Sequence, residues 1–282
     1  MSIKADLLLT QVQKSPAAVA IHDKDAWMSI FAQYHIVEDP VGSNQHVGGG
    51  YDAKSGQRGH AALGRFFDTF IAPNKISFDV QQDIVCGNHV VRDLTINIEM
   101  SASVKASVPM HLLYELVQEG DEWKIVRLAA HWELVPMVMQ LLKKGLACAG
   151  VLAGLTVRML RYQGIMGTLG FSKAAINIGN KGKQAVATFV QAFNTQQASL
   201  LSSVFASDAT IVHMPFAETP IAPSQLIEQV KGQLSIAKVL AAGDTITATV
   251  RLQNGDEVKE GVLLAEFNRK SAKIVSMRFY WS

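Results

Sequence analysis

Two segments of the chain share one pattern, and this repeat limits the possible folds more than any other feature. Lys124–Trp132 reads KIVRLAAHW and Lys273–Trp281 reads KIVSMRFYW, which agree as K-I-V-x-[L/M]-x-x-[H/Y]-W. A Phe-Ala pair lies upstream of each, at Phe31 and at Phe205. The length of 282 residues suits about two ordinary domains. The repeat therefore predicts two copies of one domain.

Each copy shows the same order of predicted elements. An N-terminal helix, over 17–33 in the first copy, precedes a short extended piece, a second helix and three or four strands. Alternating apolar residues such as Leu128, Ala130 and Trp132 are typical of half-buried strands. Helices followed by a run of strands indicate an α+β fold. We expect two tandem cone-shaped domains, each a curved antiparallel sheet packed on N-terminal helices.

The two copies are separated by a segment of unusual charge. Residues 135–207 contain no Asp or Glu but seven Lys or Arg residues. Within this segment Gly145–Val157 is uncharged over 13 residues, short of the roughly 20 that span a bilayer. We therefore predict a first domain at 1–135, a basic apolar helical connector at 136–182 and a second domain at 183–282. The connector is either an interdomain brace or a site of weak contact with an anionic membrane surface.

Composition excludes several classes of function. The net charge of +2 supplies no field for nucleic acid, and the glycine-rich runs lack the pattern of a phosphate loop. The eight histidines have no metal-binding spacing, so we expect neither a metal nor a cofactor. Two distant cysteines, Cys86 and Cys148, and an N-terminus without a long apolar run predict a cytoplasmic protein with reduced thiols.

Three motifs in the first copy carry a family resemblance. They are Phe31–Ser43 with its V-E-D-P-V-G-S run, Gly59–Phe67, and the closing Ala-His-Trp132. In this order they resemble the ketosteroid isomerase-like family of the nuclear transport factor 2-like superfamily, which includes SnoaL-like proteins. The resemblance covers roughly residues 15 to 134, with a weaker echo over about 183 to 282. It implies a cone-shaped fold around a deep apolar pocket.

The resemblance also implies a site. Asp39 matches the family's general base, which moves a proton next to the carbonyl of a 3-keto steroid. Counting back from Trp132 places Glu115 at the family's protonated acid, which holds the enolate oxygen. Strand alternation then puts the substrate-binding residues on the same wall: His111, Leu113, Val117, Leu128, Ala130 and Trp132.

Other interpretations of these residues stay open. Asp before Pro often forms a turn, and Glu115 points outward into an ion pair if the register is shifted by one residue. Ser15 or Pro16 stands where the family has a tyrosine that donates to the same oxygen, for which Tyr51 or His111 could substitute. In the second copy the three polar positions match His213 (in a His-Met-Pro run), Phe189 and Leu264.

Two classes of function follow for the first copy. One is a cofactor-free isomerase-like or cyclase-like enzyme that acts on an apolar ketone, a steroid or a polyketide, with Asp39 as base. The other is a non-catalytic binding protein for a sterol, lipid or other apolar small molecule. The second copy is expected to be structural, forming a pseudo-dimer within the chain, or the chain forms a homo-oligomer.

Overall fold

The computed structural model describes residues 3–49, 51–52, 57–207, 210–213 and 220–281. The chain divides into two compact units, Met1–Ala175 and Ile176–Ser282. Each unit contains its own hydrophobic core.

The first unit combines helices with a six-stranded sheet in the order β2-β1-β8-β7-β6-β5. All neighbouring pairs of this sheet are antiparallel except β1 and β8, which are parallel. The strands β3 and β4 form a separate pair. In chain order the elements are α1 (Ile3–Ala20), α2 (Lys24–Ser29), β1 (Phe31–Glu38), β2 (His46–Val47), β3 (Tyr51–Asp52), β4 (Gln57–Arg58), α3 (Ala61–Phe66), a π-helical turn (Phe67–Ile71), β5 (Lys75–Cys86), β6 (His89–Glu99), β7 (Lys105–Glu119), β8 (Glu122–His131), α4 (Leu134–Leu142), α5 (Leu146–Arg158), a second π-helical turn (Met159–Gln163), α6 (Gly164–Ser172) and a 3-10 turn (Lys173–Ala175).

The second unit repeats this plan with a five-stranded sheet in the order β10-β11-β12-β13-β9. Its long strands are antiparallel to one another, and β9 pairs parallel with β13. Its elements are α7 (Gly179–Asn194), α8 (Ala198–Val204), β9 (Ile211–His213), a 3-10 turn (Pro223–Gln225), α9 (Leu226–Gln229), β10 (Gln233–Ala242), β11 (Thr245–Asn254), β12 (Glu257–Asn268) and β13 (Lys273–Trp281).

Apart from the additional strand β2 in the first unit, the two sheets have the same topology, which confirms the tandem repeat and the α+β fold class. In both, a short strand lies parallel to the last strand, and four long strands follow one another in antiparallel pairs. Equivalent residues make equivalent contacts, since Phe31 pairs with Ile125 and Phe205 with Ile274, both in parallel.

The helices pack on one face of each sheet. In α1, Leu8, Val12, Ser15 and Val19 are buried and recur at the spacing of one helical face. The predicted helix over 17–33 is corrected: α1 ends at Ala20, and the chain turns before Asp23 caps α2 by accepting a hydrogen bond from the Ala26 amide.

A β-bulge lies at the same place in both repeats. On either side of Val126 the pairing of β7 with β8 shifts by one residue, because Leu116 pairs with Ile125 whereas Glu115 pairs with Arg127. The pairing of β12 with β13 shifts in the same way around Val275, the equivalent residue of the second K-I-V run. In β8, the side chains that face the core therefore lie at odd positions before Val126 and at even positions after it, because the bulge adds one unpaired residue.

The segment predicted as a connector over 136–182 is placed differently. The division between the units falls after Ala175, and α4, α5 and α6 belong to the first unit. The reason is packing, because Met137, Leu141, Cys148 and Ala174 are buried in the core of that unit. In the part of the chain that the structure describes, no helix is both long enough and apolar enough to cross a membrane.

Deleting Val126 tests the bulge. Without it, the count from the preceding turn still pairs Arg127 with Glu115 and Leu128 with Tyr114, so the same side chains face the cavity on a regular ladder. We therefore expect the deletion variant to keep cooperative thermal unfolding, followed by circular dichroism, and to lose only about 1–3 kcal/mol with the local bend. The matched deletion of Ala129, in the regular part of the ladder, turns Ala130 and Trp132 to the opposite face and should abolish cooperative unfolding, because exposing a large buried side chain costs about 2–5 kcal/mol. A Val126 deletion variant that unfolds as poorly as the Ala129 deletion variant would contradict this account.

Candidate functional site

The first unit encloses an apolar cavity between its helices and its sheet. Its volume is about 130 Å³, whereas a single water needs about 10–15 Å³. Helix α1, the π-helical turn after α3 and strands β5 to β8 all contribute side chains to the wall. Most of these side chains are apolar; the polar groups in the wall come from Ser15, Trp27, Asp39, Asn74, Tyr114 and Trp132.

Asp39 is held at the wall of this cavity from both sides. It follows the last residue of β1, where Glu38 pairs with Ala129 of β8. Two residues later the Val41 amide donates to the Ala130 carbonyl at 2.9 Å. These contacts fix the backbone beside β8, and they bring the Asp39 carboxylate within reach of Trp132.

The environment of Asp39 makes its carboxyl group basic. Burial raises its pKa to about 6, because the apolar wall solvates the charged form poorly. The indole Nε1 of Trp132 donates to Oδ1 at 2.6 Å, and this hydrogen bond opposes part of the rise. No hydrogen bond from another described residue reaches Oδ2, so Oδ2 is the oxygen that can take a proton.

A second residue with a polar group lines the cavity from β7. Tyr114 is 1% exposed, lines the cavity and has the Ser15 hydroxyl and the Arg92 guanidinium beside its own hydroxyl. Burial raises the pKa of Tyr114, whereas the Arg92 charge and these contacts lower it. A guanidinium can only donate, so its contact with the phenol oxygen leaves the phenol proton available to an acceptor.

Other residues fix the position of this tyrosine. Asp83 accepts from Arg92 Nε at 2.7 Å, and the Arg92 side chain is only 5% exposed. Trp27 Nε1 donates to Ser15 Oγ at 3.1 Å. The serine therefore already accepts one hydrogen bond, and the phenol is held between two partners that are themselves held in place.

The sequence-predicted site residues divide between the two faces of the sheet. Asp39, Leu128 and Trp132 line the cavity. Ala130 is buried on the same face, because it pairs with Leu112, which also lines the cavity.

The remaining predicted wall residues face away from the cavity, so that assignment is corrected. Glu115 accepts from Arg127 Nη1 at 2.8 Å, and the same guanidinium binds Glu38 at 2.7 Å. His111 and Leu113 are buried on that opposite face, where His111 lies 3.6 Å from Asp93. Val117 is 37% exposed.

The cause of the correction is the bulge at Val126. The turn at Gly120 and Asp121 alone would pair odd positions of β7 with even positions of β8, which is the face that we predicted. The extra residue reverses this parity, so Tyr114 pairs with Leu128 and faces the cavity. Sequence reasoning missed Tyr114 for that reason, although Met110, Leu112 and Tyr114 form an alternating set of large residues.

The second unit places different residues at the predicted site positions. His213 pairs with Arg278, which places it where Glu38 stands in the first unit, and Phe189 is buried in the core. The match of Leu264 to Glu115 is corrected: Leu264 pairs with Arg278 and stands where Leu113 does, whereas Glu266, opposite Ser276, stands where Glu115 does. Met214 and Pro215, and the side chain of Tyr51, lie outside the described residues.

Comparison with known proteins gives structural matches only. No family model matches the chain, and no curated protein matches it. Among solved structures, the fold is similar to a Δ5-3-ketosteroid isomerase from Mycobacterium sp., with 24% identity over 45% of this chain and 94% of that one and a TM-score of 0.37.

Two further matches are of the same kind. One is a Mycobacterium tuberculosis protein solved with estradiol-17beta-hemisuccinate, with 25% identity over 46% of this chain and 95% of that one and a TM-score of 0.37. The other is the epoxide hydrolase/cyclase-like enzyme SalBIII, with 18% identity over 48% of this chain and 96% of that one and a TM-score of 0.38.

The raised pKa of Asp39 predicts a stability that depends on pH. Between about pH 4 and pH 6 the folded chain keeps a proton on Asp39 that the unfolded chain has lost, so stability falls as the pH rises through this window. The penalty then stays near roughly 3 kcal/mol at higher pH. We expect Asp39→Asn to be more stable than wild type at pH 8 by up to that amount, and the two to converge near pH 4, in urea unfolding.

The control for this measurement is Asp121→Asn, which changes an exposed turn carboxylate. Its effect should not grow between pH 4 and pH 8. A constant difference between wild type and Asp39→Asn over that range would show that the Asp39 carboxyl group has an ordinary pKa.

Proposed function

We propose that the first unit is a cofactor-free isomerase-like enzyme that moves a proton next to the carbonyl of an apolar substrate, with Asp39 as the base. One observation carries the proposal: a buried carboxyl group with a pKa of about 6 lies in the wall of an apolar cavity. Near neutral pH such a group is mostly ionised and still basic enough to take a proton from carbon, once the carbonyl is polarised.

The reaction needs only groups of this chain. Oδ2 of Asp39 takes the proton from the carbon next to the carbonyl, and the electron pair of that C–H bond moves into the enolate. The charge that develops on the enolate oxygen is stabilised by a hydrogen bond from the Tyr114 hydroxyl. The carboxyl group then returns its proton to another carbon of the conjugated system, which completes the isomerisation without a change of oxidation state.

Tyr114 takes the role for which the sequence offered Glu115. It comes from a strand, whereas the resemblance places the family tyrosine at Ser15 or Pro16 on a helix. The two positions converge here, because Ser15 lies beside the Tyr114 hydroxyl. The positive charge of Arg92 behind the phenol makes it a stronger donor to an enolate oxygen.

The cavity wall indicates the class of substrate. Its apolar side chains favour a ligand that presents hydrocarbon over most of its surface and one oxygen at the polar end. A steroid ketone, as the sequence resemblance implies, or a polyketide ketone has this distribution.

The alternative is a binding protein for a sterol, lipid or other apolar small molecule. It is favoured by the presence of Ser15 or Pro16 where the family has its tyrosine, and by the apolar wall, which would hold such a ligand without any chemistry. The second unit fits a non-catalytic role, because the sequence of the repeat has Met214, not an acid, at the position that matches Asp39.

Asp39→Asn separates the two functions. The amide keeps the size of the side chain and an oxygen for Trp132 but cannot take a proton from carbon. We expect isomerisation of a 3-keto-Δ5 steroid to fall by at least about a thousandfold, with the binding of the conjugated ketone product, measured by tryptophan fluorescence, nearly unchanged. In wild type kcat/KM should rise with pH and level off above about pH 6.

His213→Ala is the matched control and should leave turnover unchanged. Binding without any isomerisation by wild type supports the alternative function. Turnover of Asp39→Asn within tenfold of wild type would remove Asp39 from the mechanism.

Tyr114→Phe tests the hydrogen-bond donor. The ring still fills the wall, but the hydroxyl is lost, and removal of one such donor typically lowers turnover by about a hundredfold or more. We expect the loss in kcat rather than in KM, because the interaction strengthens as charge develops.

Glu115→Gln on the same strand is the comparison and should retain nearly full turnover, because Glu115 binds Arg127 on the opposite face. The reverse order, with Glu115→Gln impaired and Tyr114→Phe active, would show that the register described here is not the one in solution.

A further inference from the structure

The helices at the end of the first unit expose an unusual amount of apolar surface. Nearly half of the nineteen large apolar side chains that are exposed in the described residues lie between residues 134 and 175. Leu146 is 94% exposed, Met166 74% and Ile165 69%. Single exposed apolar residues are ordinary, but a concentration of this kind marks a contact site. The exposed apolar residues of this segment are Val135, Met139, Leu142, Leu146, Val157, Leu160, Ile165, Met166 and Leu169. Together with the Lys and Arg residues of the same segment, they are called the apolar-basic surface.

Every charge on this segment is positive. Lys143, Lys144, Arg161 and Lys173 are exposed and Arg158 is half-buried, while residues 134–175 contain no Asp or Glu. A partner for this surface must therefore combine apolar material with negative charge. An anionic lipid bilayer has both, because the phosphate headgroups lie directly above the hydrocarbon.

The arrangement of the helices suits a contact along a membrane surface. In α4, Val135, Met139 and Leu142 form one exposed stripe, while Met137 and Leu141 on the other side are buried. Helix α5 has only 13 residues, well below the roughly 20 needed to cross a bilayer. Such short helices lie in the headgroup region with their apolar side chains inserted.

The same helices also form part of the cavity wall. Met137, Leu155 and Phe171 come from α4, α5 and α6 and line the cavity that contains Asp39. One layer of helix therefore separates the apolar-basic surface from the cavity, so a bilayer in contact with this surface would lie next to the cavity that takes an apolar ligand.

We propose that the apolar-basic surface binds the surface of an anionic lipid bilayer. A second copy of the chain fits less well, because a twofold contact through this surface would place its lysines and arginines against one another with no acid between them. The proposal stands apart from the function proposed for Asp39, since it concerns only the outer side of α4, α5 and α6.

Vesicle sedimentation of the full chain tests the proposal. Vesicles of phosphatidylserine and phosphatidylcholine in equal parts are compared with vesicles of phosphatidylcholine alone. We expect wild type to sediment with the anionic vesicles at low salt, to be released as the salt concentration rises, and to stay in the supernatant with neutral vesicles. Failure to sediment with anionic vesicles at low salt would overturn the proposal, as would equal binding to both kinds.

Two sets of variants place the contact. K143E/K144E/R161E should lower the partition coefficient on anionic vesicles by at least about a hundredfold, since each basic residue near the surface contributes about fivefold. L146S/I165S/M166S should lower it as well, because it removes the side chains that insert. The matched controls carry equivalent changes elsewhere: K231E/K259E/K270E for charge, and I3S/L7S/I21S, at three exposed side chains near the N-terminus, for apolarity. Controls that lose binding as strongly as the test variants would overturn the assignment to this surface.

Two more measurements keep the test decisive if a variant folds poorly. Hydrogen exchange of wild type should slow in 134–175 when anionic vesicles are added, and protection confined to other segments would contradict the proposal. The molar mass in solution without lipid should be the same for wild type and L146S/I165S/M166S. A wild-type oligomer that this variant dissociates would assign the surface to a contact between copies instead.

Discussion

Because β8 leaves Val126 unpaired in a bulge instead of continuing the regular ladder, the even positions of both β7 and β8 face the cavity. Strand β8 lies between β1 and β7, so its register determines the position of both neighbours. On the C-terminal side of the bulge, Leu128, Ala130 and Trp132 share a face with Met110, Leu112 and Tyr114 of β7. The indole that binds Asp39 and the phenol beside Ser15 therefore meet in one cavity because of a one-residue shift.

The two faces of this sheet then have opposite electrostatic characters. Away from the cavity, Arg127 next to the bulge binds Glu38 of β1 and Glu115 of β7, and joins three strands by charge. On the cavity side, Asp39 has an indole hydrogen bond and no cation among the residues that the structure describes, and burial keeps its carboxyl group basic. Neighbouring residues, Glu38 and Asp39, thus have different roles: one is neutralised by an ion pair, and the other keeps a raised pKa that suits it to proton transfer.

Much of the architecture could be predicted from the sequence, because it rests on repetition. The K-I-V pattern, the Phe-Ala pairs and the alternation in the last strand predicted two copies of one α+β domain, and the matching topologies confirm them. The position of Asp39 in the cavity agrees with its place after β1, since a turn residue next to a central strand is held by that strand. These features depend on local pattern and on spacing within one element.

The rest of the site depends on how strands pair and helices pack with one another, which the residue pattern within a single element does not show. No residue type marks Val126 as a bulge, and without it the count from Trp132 selects Glu115 instead of Tyr114. The C-terminal boundary of the first domain was predicted too early for a similar reason. The small apolar residues of 136–175 are as typical of an interdomain connector as of helices that complete a domain core. Only the packing of Met137, Leu141 and Cys148 in the core shows that these helices complete the first unit.

A crystal structure of the full chain with a phenolic steroid bound, whose phenolate imitates the enolate, tests the central claim most directly. The account predicts the steroid within the cavity of the first unit, with its phenol oxygen within about 3 Å of the Tyr114 hydroxyl. It also predicts Oδ2 of Asp39 over the adjacent ring carbons and Glu115 still bound to Arg127. A steroid oxygen bound to Glu115 or His111, or a steroid bound outside this cavity, would contradict it.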